Sequence, residues 1–265
     1  MTGNSPLAVH VQDGVMTLVF DRPEARNAMN AAMREAFCNA LERAQDDADI
    51  QILVLRGNGG SFIAGGDVKS FAETLPMTRS QRRDAFVQRV SSAAPMVSTL
   101  VNFPKPVVAV IEGAVAGAGI SIALSCDFIV ANRSARFSFA HAHIGLALDV
   151  GLSYLLPRLM GTLDAKRLAM LGEQVSSEEA RNFGPVTAVV EDDQVEQALQ
   201  QLLRQVSTVP QQALRSIKTQ LLASSHNSLT EQLALEAKLV GECAGSADFE
   251  RRVAAFVNKS IGEET

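Results

Sequence analysis

The sequence has no tryptophan, a single tyrosine and few cysteines. Its three cysteines, Cys38, Cys126 and Cys243, are too few and too widely spaced for a disulfide framework or a CxxC metal site. We therefore expect reduced cysteines and no bound metal. The chain also has no excess of basic residues, and its net charge of −5 creates no positive field to attract nucleic acid. A nucleic-acid partner is thus not expected.

Signals for export and for membrane insertion are lacking as well. Residues 1–6 contain neither a basic segment followed by an apolar stretch, which is the pattern of a secretory signal, nor an arginine-rich transit sequence. The most apolar run, residues 113–126, is shorter than the roughly 20 residues that a membrane-spanning helix needs. These features predict a cytoplasmic protein that does not bind membranes.

Hydrophobic periodicity predicts alternating strands and helices over most of the chain. Two apolar runs flank the dipeptide Asp13-Gly14, which favours a two-residue hairpin turn. Asn30 precedes a segment whose apolar residues recur every three or four positions, and it is a candidate N-cap for that helix. Residues 106–111 are almost all aliphatic, which is typical of a strand buried on both faces. This alternation predicts an α/β core.

The pattern changes towards the end of the chain. After a last predicted strand, residues 186–190, only helical periodicity continues. We therefore divide the chain into an α/β core, residues 1–192, and a C-terminal helical region, residues 193–265.

Two glycine-rich segments, residues 57–67 and 112–119, each follow a predicted strand and precede a helix. Backbone N–H groups at such a place have no partner within the helix, and two of them directed at one oxygen atom form an oxyanion hole. Glycine also simply permits tight turns, so neither segment is specific by itself. Neither contains a P-loop ending or a dinucleotide fingerprint, which excludes ATP and nicotinamide chemistry.

Four blocks of the sequence together resemble the crotonase (enoyl-CoA hydratase/isomerase) family, whose members act on acyl-CoA thioesters. The blocks are residues 21–30, 62–68, 105–127 and 248–259. The resemblance covers nearly the whole chain. It implies a spiral of repeated strand-strand-helix units, a C-terminal helical region used in assembly, and trimers or dimers of trimers.

The resemblance also assigns residues to the thioester carbonyl and to CoA. The N–H groups of Ala64 and Ala118 correspond to the oxyanion donors. The CoA-binding positions are Glu24, Ala25, Arg26, Ala28, Ala64, Gly65, Gly66, Asp67, Val68, Phe256 and Lys259. Lys259 would reach a CoA phosphate, on the same or a neighbouring subunit, although a solvated helical lysine has the same sequence pattern. No cofactor is implied beyond the CoA moiety of the substrate.

Two further positions bear on the reaction. Hydratases of this family use two glutamates to deprotonate a water molecule and protonate C2, and the corresponding residues here are Ser121 and His141. Serine is a poor base without a partner. An imidazole can accept a proton, so His141 is either an auxiliary catalytic group or a hydrogen-bonded part of the pocket wall. His141 and His143 alternate on a predicted extended segment and would point to opposite faces.

Asp149 is the main catalytic candidate. An Asp or Glu at this position is the working carboxylate in several branches of the family, including enoyl-CoA, dienoyl-CoA and epoxyphenylacetyl-CoA isomerases and 4-chlorobenzoyl-CoA dehalogenases. Asp149 also precedes a predicted helix, where it could serve as an N-cap. The resemblance thus implies an isomerase that holds an enolate in the oxyanion hole and moves a 3,4 double bond to the 2,3 position.

The sequence also bears on other activities of the family. Hydration lacks both glutamates, dienoyl isomerisation needs a second acid, and dehalogenation of an aromatic ring is disfavoured by the absence of tryptophan. Isomerisation of an aromatic epoxide on CoA stays open, as does a CoA-binding paralogue that keeps the fold without catalysis. The identity of the acyl group depends on the pocket wall around residues 71–96, whose geometry spacing alone does not define.

Overall fold

The computed structural model describes residues 5–262, except for the side chains of Val68 and of residues 259–262. Within this range the chain forms nine strands and eleven α-helices. The strands are β1 (Leu7–Gln12), β2 (Val15–Phe20), β3 (Ile52–Gly57), β4 (Val107–Ile111), β5 (Ala114–Ala116), β6 (Phe128–Asn132), β7 (Arg136–Ser138), β8 (Gln174–Ser176) and β9 (Ala188–Val190). The helices are α1 (Ala31–Asp46), α2 (Val68–Ala72), α3 (Arg79–Val101), α4 (Ala118–Leu124), α5 (Leu152–Met160), α6 (Thr162–Leu171), α7 (Ser177–Asn182), α8 (Val195–Ser207), α9 (Gln211–Ala223), α10 (Leu229–Ala244) and α11 (Ala247–Gly262).

Six strands form the main sheet in the order β1-β2-β3-β4-β6-β9. Strands β1 and β2 pair antiparallel as the predicted hairpin, with left-handed backbone at Asp13 (φ 50°) and Gly14 (φ 76°). From β2 onward every neighbouring pair is parallel. Because β3 and β4 are adjacent and parallel, the loops that follow them leave the sheet at the same edge. These loops are the two glycine-rich segments of the sequence.

Helix α1 begins where the sequence predicts. The side chain of Asn30 caps it by accepting a hydrogen bond from the N–H of Met33 at 2.8 Å. Its buried face consists of the residues spaced three and four apart, namely Met33, Phe37, Ala40, Leu41 and Ala44. Phe37 packs edge-on against Phe20 of β2, with ring centroids 5.2 Å apart. Strand β4, on the same sheet, is buried along its whole length, as predicted for a strand covered on both faces.

A second sheet contains three short strands in the order β5-β7-β8. Strand β5 is parallel to β7, whereas β7 and β8 are antiparallel. Each of these strands has three residues, which is too short for a periodic pattern to show. This sheet matters for the site because β5 lies within the second glycine-rich segment.

The chain divides into two compact units, and the division lies between Leu203 and Arg204, within α8. The change of sequence pattern between residues 192 and 193 falls just before that helix. The second unit contains α9, α10 and α11, so the expected C-terminal helical region is confirmed. Within it, the side chain of Gln212 on α9 donates to the carbonyl of Glu242 on α10 at 2.8 Å. No helix within residues 5–262 has both the length and the apolar character needed to cross a bilayer.

Candidate active site

The two glycine-rich segments pack against each other beyond the ends of β3 and β4. The N–H of Phe62 donates to the carbonyl of Ala114 at 3.1 Å, and the N–H of Ala116 donates to the carbonyl of Ile63 at 3.0 Å. At Gly65 an added Cβ atom would lie 3.3 Å from the carbonyl oxygen of Ala116. Gly65 also has a φ of 96°. The close approach and the left-handed backbone together explain why this position is glycine.

The N–H of Ala64 is already used within the loop. It donates to the carbonyl of Arg26 at 3.0 Å, so the prediction that it is an oxyanion donor is wrong. The next carbonyl, that of Gly65, accepts a hydrogen bond from the N–H of Met29 at 2.8 Å. Because C=O and N–H point in opposite directions in a trans peptide, the N–H of Gly66 points away from Met29. Among the residues that the structure describes, no acceptor takes this N–H.

The N–H of Ala118, the second predicted donor, also lacks an acceptor within residues 5–262. Ala118 is the first residue of α4, and Gly117 is the N-cap. The carbonyl of Gly117 accepts hydrogen bonds from the N–H groups of Ile120 and Ser121, at 3.0 and 3.3 Å. The N–H of Ala118 therefore points out of the N-terminal end of α4. Each of the facing loops thus has an N–H at the cavity that no described acceptor takes, that of Gly66 in one loop and that of Ala118 in the other.

Gly66 and Ala118 both line a cavity of about 660 Å³, a volume in the range of small-molecule sites. Ala64 and Gly65 line it as well. Most of the wall is apolar, and the polar or charged side chains on it are those of Asn30, Arg34, Ser70, Gln88, Arg89, Ser92, His141 and Asp149. Asp149 is therefore the one carboxylate among the described lining residues.

Asp149 and His141 form a hydrogen-bonded pair in the cavity wall. Nε2 of His141 lies 3.1 Å from Oδ1 of Asp149, and the side chains are 7% and 30% exposed, respectively. A carboxylate only accepts, so Nε2 of His141 carries the proton of this hydrogen bond, and Nδ1 is the other ring nitrogen. This Nδ1 is buried and has no partner among the described residues. The pairing occupies Oδ1 and leaves Oδ2 of Asp149 for a ligand.

Asp149 does not cap the helix that follows it. Helix α5 begins at Leu152, and its N-cap is Gly151, with a φ of 81°. The prediction of an N-cap role for Asp149 is therefore wrong. Val150 lies between Asp149 and Gly151 and has a φ of 47°. This left-handed conformation is strained for a β-branched residue and costs about 1–3 kcal/mol. The strained turn holds the Asp149 carboxylate in the cavity wall.

His141 and His143 have different partners, although not because they alternate on an extended segment. The backbone of His141 is helical (φ −54°, ψ −47°), and Ala142–Ile144 form a 3-10 turn. The predicted extended segment is therefore wrong. Nε2 of His143 lies 2.9 Å from the carbonyl oxygen of Leu171, and His143 is not among the residues that line the cavity.

The first block of the resemblance forms a tight turn beside the cavity. The guanidinium of Arg22 donates to the carbonyl of Ala28 at 2.7 Å and pairs with Asp67 at 3.3 Å. Asp67 caps α2 by accepting from the N–H of Lys69. These contacts connect the turn to the first glycine-rich segment, and they show that Asp67 has a structural role.

The remaining predicted CoA-binding residues are spread over the surface of this turn and the last helix. Glu24 and Arg26 are exposed, and Ala25 is half-buried. Phe256 lies on α11 and is 76% exposed. Val68 begins α2 and Lys259 lies in α11, but both side chains lie outside the described residues. CoA binding at these positions stays a prediction.

Asn27 holds the turn together from inside. It is buried, and its Nδ2 donates to the carbonyls of Asn58 and Ser61 at 2.9 and 2.8 Å, while its Oδ1 accepts from the N–H of Arg22 at 2.8 Å. Asn27→Ala leaves these backbone groups unpaired, and we expect it to lower the free energy of unfolding by about 3 kcal/mol. Urea denaturation measures this loss. Asn58→Ala removes an exposed side chain that bonds Asp21 and is the matched control. An Asn27→Ala loss no larger than that of the control would contradict the assignment.

Known proteins share both the sequence and the fold of this chain. The sequence profile of the enoyl-CoA hydratase/isomerase family matches residues 10–262. The 1,2-epoxyphenylacetyl-CoA isomerase of Escherichia coli K12 is 37% identical over 250 residues, or 94% of each chain. The trans-2-decenoyl-[acyl-carrier-protein] isomerase of Streptococcus mutans is 34% identical over 253 residues, again 94% of each chain. A crystal structure of an enoyl-CoA hydratase from Polaromonas sp. JS666 has a TM-score of 0.89 at 29% identity, covering 96% of this chain and 97% of that one. This match confirms the expected crotonase-like α/β fold.

Proposed function

The chain belongs to the enoyl-CoA hydratase/isomerase family, and from this premise we propose that it isomerises an acyl-CoA thioester by moving a 3,4 double bond to the 2,3 position. Relatives in this family include isomerases and hydratases, so the choice between the two reactions depends on the residues at the site. The observation that carries the proposal is the Asp149 carboxylate, the one acid among the described residues of the cavity wall.

The two free N–H groups supply the first requirement of this reaction. A thioester carbonyl oxygen that accepts hydrogen bonds from Gly66 and Ala118 gains negative charge when C2 loses a proton. Fixed backbone donors stabilise that charge because they need no reorientation during the reaction. They therefore make the C2 proton more acidic by stabilising the enolate.

Asp149 supplies the second requirement, the transfer of a proton. Its free Oδ2 takes the proton from C2, the C2–H electron pair forms the dienolate, and the same oxygen returns a proton to C4. The double bond then lies between C2 and C3, and no water is added or lost. His141 donates its Nε2–H to Oδ1 and so keeps the carboxylate in one orientation during both transfers.

The residues at the two hydratase positions argue against hydration. Ser121 is fully buried in α4, and its Oγ has no hydrogen-bond partner among the described residues. His141 is committed through Nε2 to Asp149. Neither residue is a carboxylate that could deprotonate a water molecule, so the site lacks the pair of acids that hydration of a 2-enoyl thioester uses.

A second candidate function is the isomerisation of an aromatic epoxide on CoA. It is favoured by the 37% identity to the epoxyphenylacetyl-CoA isomerase and by Phe71, which lines the cavity with its ring 5.2 Å from that of Phe86. The same oxyanion donors and the same carboxylate would serve this reaction. Epoxyphenylacetyl-CoA is therefore the second substrate to test.

The proposed reaction is tested by giving the purified protein 3-hexenoyl-CoA and, separately, 2-hexenoyl-CoA. We expect 3-hexenoyl-CoA to be converted to the 2-enoyl thioester, which the ultraviolet absorbance of the conjugated product measures. We expect 2-hexenoyl-CoA to gain no water, which mass spectrometry checks. Hydration without migration would overturn the proposal. Binding of both thioesters without any turnover, including turnover of epoxyphenylacetyl-CoA, would indicate a non-catalytic CoA-binding paralogue instead.

The environment of the protein forms a further part of this proposal. We take the protein to be cytoplasmic and to assemble as a trimer or a dimer of trimers, as the family resemblance implies. Analytical ultracentrifugation measures the assembly directly, and a monomer would remove this part of the proposal without affecting the chemistry.

A further inference from the structure

Arg89 places a positive charge in the wall of the cavity. It lies on α3 and is half-buried. Its guanidinium carbon lies 4.9 Å from the ring centroid of Phe71 and 5.7 Å from that of Phe86, within the range of cation–π contacts. Nη1 donates to Oγ of Ser70 at 2.7 Å. The charge is therefore held in a defined place by two rings and a hydroxyl group.

This guanidinium has no carboxylate partner among the described residues. Two other half-buried arginines do have one: Arg22 pairs with Asp67 at 3.3 Å, and Arg56 pairs with Glu112 at 3.1 Å. Arg34, which also lines the cavity, and Arg82 resemble Arg89 in having none among the described residues. The one carboxylate on the described cavity wall is Asp149, which pairs with His141. An arginine has five N–H donors, so Arg89 keeps donors that its contacts with Ser70 do not use.

Arg89 lies close to the loop that we propose binds the thioester carbonyl. A Cβ atom on Gly66 would lie 3.0 Å from Cζ of Phe71, so a single ring separates Arg89 from the loop that binds the thioester carbonyl. The phosphates of CoA are at the far end of its pantetheine arm. The acyl group, rather than a CoA phosphate, is thus the part of the substrate that comes near this guanidinium.

Helix α3 also provides an apolar path that leads to Arg89. At the other end of this path, Val97 contacts the turn after Asp149, because a Cβ atom on Gly151 would lie 3.0 Å from its Cγ1. Arg89 and Val97 are about 12 Å apart along the helix axis. Between them, Val90, Ala93 and Met96 line the cavity, and Ser92 is the one polar lining residue of this stretch. An alkyl chain would lie along these side chains and end at a charged group.

We infer that Arg89 binds an anionic group at the end of the acyl chain, and that the preferred substrates are CoA thioesters of dicarboxylic acids. A carboxylate is the group that a guanidinium binds with the best geometry, through two parallel hydrogen bonds. The inference rests on the proposed function, because it takes the cavity to be the acyl-CoA site. It adds the substrate class, which the sequence pattern alone does not define.

The test compares saturated thioesters by isothermal titration calorimetry. The ligands are succinyl-, glutaryl-, adipoyl- and suberoyl-CoA, each beside the monoacid thioester of the same length, and free CoA. We expect the wild-type protein to prefer the diacid thioester at one or more of these lengths. Arg89→Gln should weaken binding of that diacid thioester about 10- to 100-fold, which is the range for a hydrogen bond to a charged group, and leave the monoacid thioester and free CoA unchanged.

Two further variants distinguish binding of a carboxylate by Arg89 from a structural role of Arg89 in the cavity wall. Arg83→Gln removes an exposed arginine of the same helix that pairs with Asp84, and it should change no affinity. Arg89→Lys keeps the charge without the planar fork, and it should retain part of the preference for the diacid. A thermal melt of each variant shows whether it is folded.

The other outcomes overturn the inference. If wild-type protein shows no preference for a diacid thioester at any length, Arg89 does not bind a carboxylate at the end of the acyl chain. If Arg89→Gln weakens free CoA and every thioester equally, Arg89 binds CoA or supports the wall. Saturated thioesters cannot undergo migration of a double bond, so these results do not depend on Asp149. Failure of this inference can therefore be told apart from failure of the proposed isomerase activity.

Discussion

Asp149→Asn is expected to lower kcat for double-bond migration by about 10²- to 10⁴-fold, the usual contribution of a general acid–base group. Asparagine has nearly the size of aspartate and can still accept a hydrogen bond from Nε2 of His141, so the wall should keep its shape. It cannot take a proton from C2. KM should therefore change little while kcat falls, as measured by steady-state conversion of 3-hexenoyl-CoA.

The matched control for this variant is Asp164→Asn. Asp164 is a half-exposed carboxylate on α6 that contacts Arg167 and lies outside the described cavity wall. Its replacement should leave kcat and KM at their wild-type values. If Asp149→Asn also kept wild-type kcat, the proton would be taken by another group, and the buried Nδ1 of His141 would be the next candidate.

Ala118→Pro is expected to lower kcat by about 10²- to 10³-fold, because it deletes one of the two oxyanion donors without removing a side chain from the cavity. Proline is well tolerated at the first position of a helix, where the missing N–H has no partner within the helix. Ala118 occupies that position in α4. Steady-state kinetics with 3-hexenoyl-CoA measures the loss.

The control for the oxyanion donor is Ala118→Gly, which keeps the N–H and should keep most of the activity. Binding of CoA and a thermal melt establish that Ala118→Pro is folded. A folded Ala118→Pro protein with the activity of Ala118→Gly would show that this N–H does not bind the thioester carbonyl. The enolate would then need a different site in the cavity.

The sequence predicts those parts of the fold that depend on periodicity over many residues. The hairpin around Asp13-Gly14, the buried face of α1 and the fully buried β4 all follow from local patterns, and all are confirmed. The three-residue strands β5 and β8 are too short to carry such a pattern. They form only because the loops around them bring their backbones together.

The candidate site is predictable where it depends on residue type and not where it depends on peptide orientation. Asp149 and His141 are identified from the resemblance, and the structure places both in one cavity. The assignment of Ala64 fails because a peptide's direction depends on φ and ψ, and the left-handed backbone of Gly65 leaves the free N–H on Gly66. Gly65, which lies between Ala64 and Gly66, is the only signal in the sequence that the peptide direction changes here. It does not indicate which of the two N–H groups points into the cavity.

Arg89 shows a different limit. No motif marks it, because an arginine within a long, largely exposed helix has the same pattern as a solvated residue. Its position over the ring of Phe71 depends on how α2 packs against α3. The periodicity of either segment alone does not define that packing. Only the structure brings this charge to the wall of the cavity that also contains Asp149.

The central claim is that Asp149 moves the proton, and hydrogen exchange with solvent tests it most directly. Wild-type protein and Asp149→Asn are each incubated with 3-hexenoyl-CoA in D2O, and NMR follows deuterium at C4 of the product and at C2 of the recovered substrate. We predict that the wild-type protein introduces deuterium at both carbons and that Asp149→Asn introduces it at neither over the same time. Incorporation by the variant at the wild-type rate would contradict the claim.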